Sequence, residues 1–415
     1  MNEKIVVPYA PILVESTRSI GYSFEAALAD IIDNSISASA KEIHVSFMSQ
    51  EPQWLRIDDD GWGMSAEELE NAMRYGSQSS TDVRRKDDLG RFGLGLKMAS
   101  LSQCRKLTVI TKQEGYLAGA CWDLDYIQKQ GTWALIWYTE AEIKAMPDYS
   151  VLISRGNGTI VRWEQFDRMK QGAAKVDKAF DEKIEIARKH VALVFHRFLN
   201  DENIRNRLTI TFNGEAVTGI DPFLTKHPAT QPLPEQILRI DREEIRVKPY
   251  VLPYVSKLSK LDFEAVGGKD ELRQQQGFYI YRNRRLIIWG TWFRLIKQNE
   301  LGKLARVRVD IPNSLDSIWE IDIKKSTAWD ADFRIVNGKW VASQISTRKT
   351  PPDWAPIKNE ENALFMKNAY RVLLTRARQG FVIFIPEGNK RDVTRKPEYY
   401  DTTFEYLKSL GIPVI

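Results

Sequence analysis

The sequence predicts an α+β protein: helices laid over a mixed sheet, then a second domain of the α/β type, then a small α/β tail. Three observations carry this. Residues 21–39 place Phe24, Leu28, Ile31 and Ile32 on one stripe of an amphipathic helix. β-Rich runs follow in groups, without strict alternation with helices, which suits strands packed under helices as a sandwich. A long amphipathic stretch, VDKAFDEKIEIARKHVALVFHRFLN over 176–200, then hands the chain to a further set of strands.

The elements are justified in order. After the first helix, EIHVSFM (42–48) and WLRID (54–58) read as two strands joined by a polar turn. Ala66 to Tyr75 reads as a helix opening at Ser65, with Glu68 three residues on as in a capping box. Residues 76–89 (GSQSSTDVRRKDDL) are polar and unpatterned, the composition of a mobile loop. A helix from Gly95 to Leu101 and strands at 105–112, 116–124, 133–138 and 158–163 complete a first domain, 1–172. The second, 173–328, holds the long helix and strands at 207–213, 236–240, 244–251, 277–282 and 305–311, with Pro-rich joints at 231–234. The third, 329–415, opens after Trp329 with RKTPPDWAPIKNE, then a helix over 360–377, a strand FVIFI and a terminal helix.

Composition narrows the classes. Hydrophobic residues at 43% and charged residues at 28% suit a globular protein, and no apolar run reaches the roughly 20 residues of a spanning helix. The N-terminus lacks the apolar core of a signal peptide, so a cytoplasmic location with no membrane partner is expected. Cys104 and Cys121 are too few for a disulfide framework, and no Cys/His spacing suggests zinc. A net charge of +5 permits nucleic-acid contact without demanding it, because 60 basic residues stand against 55 acidic ones.

Three motifs within about seventy residues carry the chemistry: Asp30-Ile31-Ile32-Asp33-Asn34, Asp59-Asp60-Gly61-Trp62-Gly63 and Gly90-Arg91-Phe92-Gly93-Leu94-Gly95-Leu96-Lys97. Each alone is weak; a G-x-x-G-x-G arises in many unrelated chains, and Asp-Gly runs make ordinary turns. In the first, Asp30, Asn34 and Ser37 lie three to four apart and share a helix face. In the third, glycines allow close backbone approach, and the following helix N-terminus offers free N–H groups to phosphate. Lys97 lies just inside that helix, where a cation is unfavourable unless an anion is near.

In this order the motifs resemble the GHKL ATPase fold shared by gyrase, the heat-shock chaperone, histidine kinases and MutL, and most of all its MORC-like branch. The resemblance implies the Bergerat α/β sandwich with ATP and Mg2+ as ligands. It implies Asn34 as the metal ligand and Asp30 as the group that orients or deprotonates the attacking water. The family carries Glu there; Asp is one methylene shorter, so Asp33 is an alternative, and slow turnover is another. Asp59 would accept the adenine amino proton, with Gly61, Gly63 and Met64 beside the base, although Asp58 and Asp60 leave a one-residue shift open. Gly90, Gly93, Gly95, Leu96 and Lys97 would cradle the phosphates, with Ser79, Ser80 and Thr81 in a closing loop. The Gly158-Thr159 pair would lie beside the adenine-binding Asp.

GFYIYRNRRLI (277–287) and RVRVDIPNSLDSIWEIDIKKS (306–326) look like the transducer domain of MutL and MORC proteins, where a lysine reaches the γ-phosphate. Lys325 is the candidate and Lys324 the alternate. Arg282, Arg284 and Arg285 beside Tyr279 and Tyr281 would contact nucleic-acid phosphates, or else form the charged face of a hairpin. After Trp329 the chain looks like the end of a Schlafen-related superfamily-one helicase, with Thr375-Arg376-Ala377-Arg378 matching its last motif. No P-loop exists in the chain, so the tail would be a docking surface for a protein partner or would complete a site in trans.

The function implied is an ATP-driven conformational switch: a slow ATPase that forms a homodimer on nucleotide binding and acts on double-stranded DNA, in a bacterial setting in defence against phage. A nucleotide sensor with little hydrolysis and a kinase of the histidine-kinase type are the alternatives.

Overall fold

The computed structural model describes residues 8–18, 22–75, 95–169, 176–240, 243–266, 268–293, 298, 300, 302–313, 331–336, 339–346, 353–356 and 397–409. The 76–89 loop, Gly90, Gly93, Lys324, Lys325, Arg376 and the expected helix at 360–377 lie outside them. The chain divides into two compact units, 1–326 and 327–415.

In the first unit α1 (Ala10–Arg18) precedes α2 (Phe24–Ser37), which Ser23 caps by accepting the Ala26 N–H. Strands β1 (Glu42–Met48) and β2 (Trp54–Asp59) follow, then α3 (Ala66–Met73), whose Ser65–Glu68 capping box is fully formed. Next come α4 (Gly95–Gln103), β3 (Lys106–Gln113) and β4 (Tyr116–Asp123). Asp123 caps α5 (Leu124–Gln130), which ends at Gly131 in the left-handed region. β5 (Ile136–Trp137), α6 (Glu140–Ala145), α7 (Tyr149–Ile153) and β6 (Gly158–Glu164) lead to α8 (Val176–Val194), β7 (Thr209–Phe212) and β8 (Glu215–Ala216).

Eight of these strands form one sheet in the order β5-β4-β3-β6-β2-β1-β7-β8. Neighbours are antiparallel except β1 and β7, which run parallel, so the sheet is mixed. Leu28, Ile31 and Ile32 of α2 share one core with Val45, Leu55, Ile57 and Val109 of the strands. Phe24 meets Trp163 and Phe180 edge-on, at 6.1 and 6.3 Å between centroids, which seats α2 and α8 on this face. On the opposite face Ile110 and Ile160 pack under Ile143 and Leu152 of α6 and α7.

The second sheet comprises β9 (Gln231–Pro232), β10 (Gln236–Ile240), β11 (Glu243–Val251), β12 (Gly277–Arg282), β13 (Arg285–Thr291) and β14 (Ala305–Ile311). Its order is β10-β11-β14-β12-β13, with β9 on β11. Asn283 and Arg284, both at positive φ, make the two-residue β12–β13 turn. Alternation along β12 splits its side chains between two cores: Ile280 joins Ile287 and Val309, whereas Tyr279 and Tyr281 join the core of the first sheet. The two sheets are thus bound by shared apolar packing.

Two sequence expectations change here. The strand expected at 207–213 in the second domain is β7, and it pairs with β1 of the first sheet. The helix expected through 200 stops at Val194, with a separate turn at His196–Leu199. In the second unit β15 (Ala331–Val336), β16 (Lys339–Ser346) and β17 (Asp353–Pro356) form an antiparallel sheet, and a helix spans Pro397–Ser409.

Candidate nucleotide site

Helix α2 advances about 100° per residue, so three consecutive side chains point three ways. Asp33 is buried, Asn34 is exposed and Ser35 is buried. The Ser35 hydroxyl donates to Asp59 Oδ2 at 2.7 Å, and the Gly61 N–H donates to Asp59 Oδ1 at 2.9 Å. Burial pushes the Asp59 carboxyl above its usual range; the Ser35 hydroxyl, the Gly61 and Thr159 N–H groups and the Arg155 charge pull the other way. A buried carboxylate held by this many donors is orientated, and it faces the side of the sheet that α2 covers.

The neighbouring aspartates sit elsewhere, which separates the three candidates. Asp58 projects to the opposite face and pairs with Arg155 at 2.8 Å and Arg56 at 3.1 Å. Asp60 Oδ1 accepts the Lys41 and Glu42 N–H groups at 2.7 and 2.8 Å, closing the turn into β1. Asp59 and Thr159 are register partners on β2 and β6.

Around Asp59 the backbone runs close. A Cβ on Gly158 would lie 2.2 Å from the Asp59 carbonyl oxygen, and one on Gly63 2.1 Å from that of Lys112; both glycines have positive φ. The Met64 N–H donates to Thr111 Oγ1 at 2.9 Å, and Thr111 Oγ1 lies 3.1 Å from Thr159 Oγ1. Gly63, Met64, Thr111 and Thr159 therefore form one polar seam beside the aspartate.

One helical turn from Asn34, Asp30 is half-buried and its Oδ2 accepts the Tyr22 hydroxyl at 3.1 Å. A Cβ on Gly95, the first residue of α4, would lie 3.8 Å from that same oxygen. The carboxylate of the first motif thus stands at the head of the helix that follows the third. Leu96 is partly buried against the core.

Lys97 is fully buried, and its ammonium donates to the carbonyl oxygens of Ala72 and Arg74, each at 2.7 Å. These carbonyls lie at the end of α3, where a cation is favourable. Burial lowers the Lys97 pKa to about 8. In this structure the lysine joins α3 to α4.

Asp33, the alternative water-positioning acid, lies on the back of α2, where it pairs with Arg285. The expected basic surface is internal at two of its three arginines, while the Arg284 side chain is 38% exposed. Arg282 and Arg285 are buried, and Arg284 binds Asp201 and the Arg197 carbonyl.

Magnesium prefers oxygen ligands and retains water. Among the described residues no group of three or more His, Cys, Asp or Glu side chains could hold a metal. The exposed Asn34 amide, with Asp30 one turn away, fits a cation carried chiefly by phosphates. No helix among the described residues is long and apolar enough to cross a membrane.

Ser35, Thr111 and Tyr22 were not anticipated. Ser35 had a signal in its place directly after Asn34; the contacts of Thr111 and Tyr22 are made across strands and between helices, and no local pattern announces them.

The site lies within a segment that is similar to GHKL-type ATPase domains. Residues 22–159 match the family described as "Histidine kinase-, DNA gyrase B-, and HSP90-like ATPase", and residues 318–387 match "Schlafen group 3, DNA/RNA helicase domain". Among curated proteins, the chain is 30% identical over 107 residues to "ATPase morc-1" of Caenorhabditis elegans, covering 26% of this chain and 12% of that protein. It is 30% identical over 94 residues to "DNA mismatch repair protein MutL" of Thermoanaerobacter sp. (strain X514), covering 22% of this chain and 15% of that protein. The matched segments thus span about an eighth to a seventh of these relatives.

Proposed function

We propose that the protein is an ATP-dependent conformational switch with slow hydrolysis. The observation that carries this is the buried Asp59 carboxylate, fixed by the Gly61 N–H and by the hydroxyl of Ser35, the residue after Asn34 on α2. An adenine amino group would donate to Asp59, with Gly61, Gly63, Met64 and Thr159 around the base. The phosphates would extend towards Gly95 at the head of α4, where Asp30 would orient the attacking water. Gly90, Gly93, Leu96 and Lys97 would complete the phosphate cradle, Lys97 by exchanging carbonyl partners for phosphate oxygens. Bound Mg2+ would neutralise phosphate charge, with Asn34 as its protein ligand. Residues 173–328 would serve as the transducer domain, with Lys325 reporting the γ-phosphate. Homodimerisation on nucleotide binding, action on double-stranded DNA and a protein partner for the tail extend the same reading; the action on DNA is supported by the MutL relative, a DNA mismatch repair protein.

One observation favours a sensor with little turnover: Asp30 is a short side chain with one oxygen already engaged by Tyr22. Magnesium-dependent ATP turnover, with and without duplex DNA, separates the two. Solution mass with a non-hydrolysable ATP analogue is read alongside. DNA-stimulated turnover with analogue-induced dimers supports the switch. Binding without turnover or dimers supports the sensor, and absence of ATP binding overturns both.

A further inference from the structure

The helix that carries Asp30 and Asn34 is tied to the second sheet by a buried ion pair that the proposed chemistry does not use. Arg285 Nε donates to the two oxygens of Asp33 at 3.2 and 3.3 Å, and the two side chains are 4% and 2% exposed. Arg285 opens β13, directly after the two-residue turn. Its guanidinium lies over the Phe195 ring at 5.0 Å and also donates to the Leu286 carbonyl. His190 of α8 completes the surroundings: it is held neutral, its pKa lowered to about 3 by burial and then by the Arg285 charge, with Asp33 opposing. Its ring packs on Trp289 of β13 at 5.6 Å.

Burying two charges is costly unless their geometry is fixed, and replacing such a pair with apolar groups often leaves stability unchanged. A purely structural need would be met by the apolar packing that already joins the two sheets. What the pair adds is direction. Asp33 is adjacent to Asn34 and one turn from Asp30, so a shift of β13 along its length is transmitted to the turn of α2 that bears both.

We infer that Asp33 and Arg285 form a positioning pair that couples the β12–β13 hairpin to the nucleotide-facing turn of α2, so that hairpin and nucleotide each set the other's geometry. The inference rests on the reading of the site given above. Neither residue touches the reacting atoms; both act through Asp30 and Asn34.

The test uses the full chain and three variants: Asp33→Asn, Arg285→Lys and the double variant Asp33→Asn/Arg285→Gln. Folding is checked by circular dichroism and melting; if Asp33→Asn does not fold, Arg285→Lys decides. A displacement of about 1 Å at Asp30 is expected to lower kcat by roughly a hundredfold while the affinity for a fluorescent ATP analogue stays within about threefold. The double variant is expected to lose no more than the worse single one, because the members act as a unit. In the wild type, the non-hydrolysable analogue is expected to slow hydrogen exchange over residues 277–291, and Asp33→Asn abolishes that slowing. Folded single variants with wild-type kcat overturn the inference, as does exchange over 277–291 that ignores nucleotide in an active wild type; in both cases the site reading stands. A wild type that binds no nucleotide overturns the site reading, and the inference with it.

Discussion

At the residue scale, Asp30 and Asp59 have different roles in the proposed site and are expected to fail differently. Asp30→Asn keeps size and removes the base, so turnover should fall by about two to four orders of magnitude with analogue binding retained. Equal turnover in that variant would remove Asp30 from the mechanism. Asp59→Asn converts an acceptor into a mixed group beside an adenine donor and should weaken ATP binding itself, read by calorimetry. Ser35→Ala leaves Asp59 without its hydroxyl donor and should weaken binding less, by roughly 1 kcal/mol. These differences trace to particular contacts. The order Asp30, Asn34, Asp59 was legible because each motif lies within one local element. The spacing of the resemblance already selected Asp59 over Asp58 and Asp60; what it could not convey is that Asp59 lies under α2 while Asp58 is bound to Arg155. The inward turn of Arg282 and Arg285 was illegible for a similar reason: a basic run in the sequence does not reveal the buried Asp33 some 250 residues earlier.

At the element scale, the capping box at Ser65 was plain in the sequence and fixes where α3 begins. Ser65→Ala should cost about 0.5–2 kcal/mol in denaturant unfolding. The other end of α3 is held by a residue no capping rule would nominate. Lys97→Met keeps length and apolar stem but leaves the Ala72 and Arg74 carbonyls without the ammonium, so exchange of the last α3 amides should rise while β1–β2 amides stay protected. Strands β1, β2, β6, β11, β12 and β14 emerged from the sequence within a residue or two because period-two patterning is local. Helices α5, α6 and α7 did not, since they are too short to repeat a 3.6-residue stripe; α5 and α6 are defined by caps at Asp123 and Thr139, and α7 has no side-chain cap.

At the scale of the whole molecule, half-buried His190 and buried His196 are both held neutral, with pKa lowered to about 3 and about 4 chiefly by burial. The unfolded chain protonates each near pH 6.5, so between that value and the folded pKa the unfolded state binds more protons. Stability must therefore fall as pH drops through this window, by up to about 1.4 kcal/mol per pH unit for each histidine. Melting temperature followed from pH 7 to pH 4 should decline, and His190→Gln should flatten the decline; a flat wild-type profile would contradict the lowered pKa of both rings. The parallel pairing of β7 with β1 has a separate consequence for anyone wishing to isolate the ATPase module. The first sheet is discontinuous in the chain: its strands β7 and β8 come after α8. A fragment trimmed at residue 172 keeps all three nucleotide motifs yet leaves the backbone of Glu42–Val45 bare along one side. Such an unpaired margin invites another copy to zip onto it, so that fragment should precipitate or form adventitious oligomers, whereas one extended past Ala216 supplies its own border.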